Sequence, residues 1–178
     1  MATDKDQHLA NLLKEYEPGF LPYPIFEQIA RLVALPIVEF IPFRMHDDQI
    51  EVLLIARPED DVLWPGLLHT PGTVVRATDI QATKGQLWTP FQRILSEELL
   101  DTPVGPHHFV GSQLHASKRG AEQAQLYWIE VIGEPKIGTF YSLADLPADL
   151  MDSQRAFITQ AAEHYKRFKA PSTSNKLQ

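Results

Sequence analysis

Two apolar runs, residues 36–43 (PIVEFIPF) and 50–56 (IEVLLIA), flank the turn sequence His46-Asp47-Asp48-Gln49. Runs this short, rich in β-branched and aromatic side chains and bounded by turn residues, are strands, and two so close together form a hairpin. Pro42 predicts an edge or a bulge in the first, because proline cannot donate to a ladder. Residues 107–114 and 123–132 form two more strand-like stretches, and 137–141 a short third. Helical spacing appears elsewhere. Leu9, Leu12, Leu13 and Tyr16 recur at helical intervals before Pro18-Gly19 stops them, and Ile25, Ile29, Leu32 and Val33 follow from Pro24. Met151, Ile158, Ala161, Ala162, Tyr165 and Phe168 form a stripe on a last helix over about 148–168. Helices, strands, one central helix, more strands and a terminal helix make an α+β or α/β sandwich with a mixed sheet between helices.

The best-marked helix is predicted over 89–101. Thr89 is an N-cap residue, Pro90 suits the first helical position, and Gln92 completes a Thr-x-x-Gln capping box. At about 100° per residue, Phe91, Ile94, Leu95 and Leu99 share a buried stripe, and Glu98 falls inside it, at about 340° from Phe91. Glu97 and Arg93 lie together at its edge. A carboxylate among apolar side chains needs a cation, an arginine or a raised pKa. Two adjacent glutamates suit a hard divalent cation; an Arg93–Glu97 ion pair on a half-exposed helix is the plainer alternative.

The segment Arg93-Ile94-Leu95-Ser96-Glu97-Glu98 resembles the helical part of a Nudix box, G-x5-E-x7-R-E-U-x-E-E-x-G-U with U aliphatic. Upstream, Trp64-Pro65-Gly66 through Pro71-Gly72 resembles that family's W-x-x-P-G-G approach, and Leu54-Ile55-Ala56-Arg57 its strand-plus-Arg. Downstream, residues 140–147 (FYSLADLP) resemble its C-terminal end. The resemblance covers roughly 36–168. It implies a Nudix-type α/β/α sandwich with a mixed sheet (residues 36–168); the two helices before it read as an N-terminal helical extension (1–35), and the polar end, rich in Ser, Thr and Asn, as a disordered tail (169–178). It also implies a hydrolase of a nucleoside diphosphate linked to another moiety, using Mg2+ or Mn2+; without a signal peptide or a membrane span in the sequence, the chain reads as cytoplasmic. By the same resemblance, Glu97 and Glu98 are metal ligands, Arg93 orients a glutamate, and Gly72 is the opening glycine, where backbone passes close to metal or phosphate. Arg57 is a candidate for phosphate.

The chain departs from the pattern in four places. The residue after Arg93 is Ile94, not glutamate, and Ile94 neither binds a metal nor takes a proton. Arg93 lies 21 residues after Gly72, about seven more than the pattern, which places an insertion within 76–88. The early glutamate has no counterpart; Thr78 stands at its position and Asp79 beside it. The glycine after the Glu pair is replaced in Leu99-Leu100-Asp101-Thr102. A substitute general base is sought among His107, His108 and His115, with His115 placed at the start of a loop, HASKRGAEQ, and Lys118 and Arg119 offered to phosphate. Surface histidines and solvated turn charges are the plainer readings. Trp64 and Trp88 are candidates for stacking on a base, while Trp128, in an apolar run, reads as core. With Ile94 and the insertion, a Nudix-fold nucleotide-binding or protein-interaction module without turnover is the alternative function.

The formal charge of −7 argues against broad attraction to nucleic acid or an anionic membrane. The absence of cysteine excludes disulfides, thiolate zinc sites and a cysteine nucleophile. The polar start is no signal peptide, and no apolar run reaches the length of about 18 residues that reads as a membrane span. In the alternative of a module without turnover, the two N-terminal helices serve a partner or a homodimer interface.

Overall fold

A computed structural model describes residues 2–79 and 87–170. Part of the expected insertion (80–86) and most of the expected tail (171–178) lie outside the described residues. The predicted hairpin is β1 (Leu35–His46) and β2 (Gln49–Ala56), joined through Asp47 and Asp48 at φ 47° and 60°. A two-residue hairpin turn of type I′ requires positive φ at both positions, which Asp tolerates.

β1 is the centre of the sheet, not the edge that Pro42 predicted. On one side β6 (Gly120–Glu130) runs parallel to it from Leu35 to Phe43. The other side is shared by β4 (Gly72–Val74), paired at Ile37–Glu39, and β2, paired from Phe43 onward. Pro42 falls in the gap between these two neighbours. The Phe40 N–H points into that gap, donating to the Pro71 carbonyl at 2.9 Å. Pro42 shares its side of the strand, so the missing N–H breaks no ladder. β3 (Leu68–His69) and β7 (Thr139–Ser142) pair with β2, and β5 (His108–Ser117) pairs antiparallel with β6.

Alternation along β1 sends its side chains into two cores. Ile37, Ile41 and Phe43 meet Phe157, Ile158, Ala161 and Tyr165 of α4 (Asp152–Lys169). Ala30 and Phe26 of α2 (Tyr23–Leu32) join the same core. Val38 and Phe40 meet Phe91, Ile94 and Leu99 of the central helical segment on the opposite face. Each fully buried side chain of this size contributes about 1.5–3 kcal/mol, and the result is an α/β/α sandwich around a mixed sheet.

The helix ends differ from expectation. α1 (Asp4–Leu13) is capped by a Thr3–Asp6 box, yet none of its residues is buried, and Leu9, Leu12, Leu13 and Tyr16 are all at least 40% exposed. On α2, Ala30 rather than Leu32 or Val33 is buried, because the helix stops at Leu32 and Val33 is already extended. α3 begins at Trp88 (Trp88–Arg93) after Leu87, so Thr89 lies inside it and the expected capping box does not form. It continues as one wide π turn, Ile94–Glu98, in which the Leu99 N–H donates to the Ile94 carbonyl at 2.9 Å. Leu100 and Asp101, at φ 49° and 56°, end it short of the predicted Asp101. Lys169 belongs to α4 rather than to a tail, and its ammonium pairs with Glu130 at 2.9 Å.

Candidate functional site

Glu97 and Glu98 close the π turn of α3, Glu97 exposed and Glu98 half-buried. Single-turn π insertions occur frequently at functional sites. Among the described residues, no side chain makes a hydrogen bond or ion pair to either carboxylate. Burial pushes the Glu98 carboxyl upward; Arg57 opposes this and neighbouring Glu97 adds to it. Ile94 is wholly buried between Phe91 and Leu99 and belongs to the core.

Arg93 pairs with neither Glu97 nor another glutamate. Its guanidinium grips Asp79 through two nitrogens, one of them at 3.1 Å, and donates to the Val74 carbonyl at 2.9 Å. Asp79 also accepts the Arg76 backbone N–H at 2.6 Å. Burial works to raise the Asp79 carboxyl, but the Arg93 hydrogen bonds and the Arg76 N–H outweigh it and hold the group low. Asp79, weighed from sequence as a substitute for the early box glutamate, is the counter-ion of the box arginine and ties α3 to the end of β4.

Gly72 lies directly against Glu39 of β1: a Cβ at position 72 would fall on the Glu39 carboxyl, which would have to move to admit it. Glu39 is 8% exposed, and burial pushes it from its ordinary 4.5 to about 8, against the opposing Thr70 hydrogen bond. The sequence reading passed over Glu39, although a lone charge in the run PIVEFIPF was the available signal. Arg57, at the end of β2, holds Asp61 at 3.0 and 2.5 Å. Burial works to raise Asp61, but Arg57 and the N–H groups of Trp64 and Leu63 hold it down at about 2. His69, 6% exposed, is driven down to about 4 by burial and then by Arg57, so its ring is neutral near pH 7.

The structure does not bring His115 to α3. It lies within β5, not in a loop; the hairpin turn is Lys118-Arg119. Its ring stands edge-on to Phe157 on the α4 face and contacts Glu122 at 3.2 Å. Lys118 donates to the Leu63 carbonyl, and Arg119 pairs with Glu122 at 2.6 Å and lies over the Trp64 ring. His108 stacks on Trp128, which is core as expected. Trp64 is also buried, whereas Trp88 is 56% exposed. Trp88 borders a cleft of about 390 Å3 shared with Leu87, Phe91, His107 and Tyr127.

Among the described residues, no group of three or more His, Asp and Glu side chains converges as a cage for a metal. Glu97 and Glu98 nonetheless offer an adjacent pair of unpartnered carboxylates, one partly desolvated. That chemistry suits one divalent ion completing its shell with water and phosphate oxygens.

No protein-family model matches the chain, and no curated protein matches it. Solved structures do match. The Nudix domain of Shewanella oneidensis NrtR in complex with ADP ribose is 22% identical, with a TM-score of 0.58, covering 88% of this chain and 97% of that one. NrtR in complex with a 27mer DNA is 20% identical, with a TM-score of 0.56 over 74% of this chain and 62% of that one. A C. elegans Ap4A hydrolase is 11% identical, with a TM-score of 0.54 over 75% of this chain and 99% of that one. The architecture is an α/β/α sandwich with a Glu-bearing helix packed on one face of a mixed sheet. It is the Nudix fold.

Proposed function

We propose that the chain is a divergent Nudix hydrolase that cleaves the diphosphate of a nucleoside diphosphate linked to a second group, with one Mg2+ or Mn2+. The observation that carries this reading is the unpartnered Glu97-Glu98 pair at the end of α3. These two residues would hold the ion, which when bound supplies positive charge to the phosphate oxygens. The remaining work falls to the chain. Arg93, fixed on Asp79 and Val74, sets the position of α3 against β4. Gly72 keeps its surface free of a side chain, and Arg57 adds positive potential that reaches Glu98. The ligand class is supported by two neighbours, an ADP ribose complex and an Ap4A hydrolase. Residues 36–168 form the catalytic unit in this reading and 1–35 an extension. Among the described residues, no helix is long and apolar enough to cross a membrane.

A second reading, recognition of such a nucleotide without turnover, is favoured by the complete burial of Ile94 where the family has a glutamate. Titration of Mn2+ into the protein and into Glu98→Gln, followed by EPR with and without ADP-ribose, separates the two. Saturable binding that the variant loses, with release of a nucleoside monophosphate, is expected. Absence of specific Mn2+ binding with ADP-ribose still bound would leave only the second reading.

A further inference from the structure

Behind Gly72, three buried oxygens stand in line. Glu39 is 8% exposed, Thr70 0% and Gln154 of α4 2%. The Thr70 hydroxyl oxygen lies 3.2 Å from a Glu39 carboxyl oxygen and within hydrogen-bond distance of the Gln154 amide oxygen. The orientation of Gln154 is fixed independently, because its amide oxygen also accepts the Thr70 backbone N–H at 3.2 Å. Turning the amide over would set its NH2 against that N–H and leave a buried donor unsatisfied. With the amide oxygen there, two O···O contacts share a single Thr70 hydroxyl hydrogen. An ionised carboxylate accepts only, so the second hydrogen must come from Glu39.

We infer that Glu39 is held in the fold as a neutral carboxylic acid, donating its proton to Thr70, and that the chain Glu39–Thr70–Gln154 fastens the Gly72 strand to α4. Glu39 is thus a positioning residue: it sets where β4 lies without touching a ligand. The surroundings agree with the proton count. Burial is the main force keeping Glu39 uncharged, and the Thr70 hydroxyl, which would hold the carboxyl down as a donor to it, is turned to Gln154. Among the charged groups of the described residues, Glu122 of β6 and Glu98 of α3 reinforce this and Arg119 opposes it. The β3–β4 turn and α4 meet it with the uncharged Thr70 and Gln154. Lost above its folded pKa, the proton takes the clamp with it. The folded state holds this proton to about 8 while the unfolded chain releases it at its ordinary 4.5, so the clamp's contribution is whole below 4.5 and fades as pH rises through 8. The inference stands apart from the proposed reaction, since it is tested on the protein without metal or nucleotide.

The test is a 13C NMR titration of the Glu39 side-chain carboxyl, assigned through the backbone, together with thermal denaturation of wild type and Glu39→Gln across pH. The amide of Glu39→Gln donates to Thr70 as the acid does but cannot ionise. A Glu39 midpoint near 8 is expected, with the variant matching wild type at low pH and melting higher above pH 8. A midpoint in the ordinary carboxylate range would overturn the inference, as would a variant melting lower than wild type by the same amount at every pH. If the variant does not fold, the wild-type midpoint alone decides.

Discussion

Ile94 has no exposed surface, and Phe91 and Leu99 enclose it on the sheet side of α3. A glutamate put there would carry charge into a core with no partner prepared for it. Ile94→Glu, which restores the family pattern, is therefore expected to cost the fold about 3 kcal/mol or more without raising hydrolysis of ADP-ribose. Urea denaturation and an assay of AMP release check this; a variant as stable as wild type and faster would show that position 94 reaches the site. At this scale the sequence was readable where charge broke an apolar pattern. Glu98 stood out on the helical wheel, and Asp79 stood beside the position of the lost glutamate. The partner of Arg93 was not readable, because the contact with Asp79 spans 14 positions and a strand end. Glu39 went unremarked because its partners, Thr70 and Gln154, lie 31 and 115 positions away along the chain.

The helical element α3 keeps a backbone shape whose usual residue it has lost. Where the family pattern has glycine after the Glu pair, Leu100 adopts φ 49° and Asp101 follows at 56°. A left-handed conformation costs a residue with a Cβ about 1–2 kcal/mol. Leu100 is 43% exposed, so only part of a full leucine burial offsets that cost. Leu100→Gly is expected to raise stability by about 1 kcal/mol, read as a higher denaturant midpoint with an unchanged slope; a loss would mean that the leucine's partial burial outweighs the strain. Strands β1, β2, β5 and β6 were legible from apolar runs and turn residues, and α4 from its stripe. The π turn was not, since a wheel drawn at a fixed rotation cannot show a local widening. Nor was the central place of β1, because Pro42 is tolerated only through the gap between β4 and β2, which exists in three dimensions alone.

For the whole molecule, α1 stands apart from both cores. It buries no side chain, and its apolar stripe faces solvent. Removal of residues 1–16 is accordingly expected to change the stability of the remainder by less than about 1 kcal/mol, as a surface change away from the core does. Thermal denaturation of the shortened chain checks this, and a drop of several degrees would show that α1 supports the sandwich. The charge balance of −7 bears on the proposed function at this scale: an acidic chain that bound a phosphorylated molecule would need a local source of positive charge.

The parallel pairing of β1 with β6 also sets the order in which the molecule can be assembled. On that edge of β1, Leu35 through Phe43 find their partners in Glu122 through Glu130. During synthesis the β1–β2 hairpin emerges with one long apolar edge unpaired, and that edge stays open until most of the chain has left the ribosome. Closure of the sheet then brings together segments far apart in sequence, a connection that slows folding relative to local pairing. The same strand that centres the finished fold is therefore its most aggregation-prone surface while the chain is still being made.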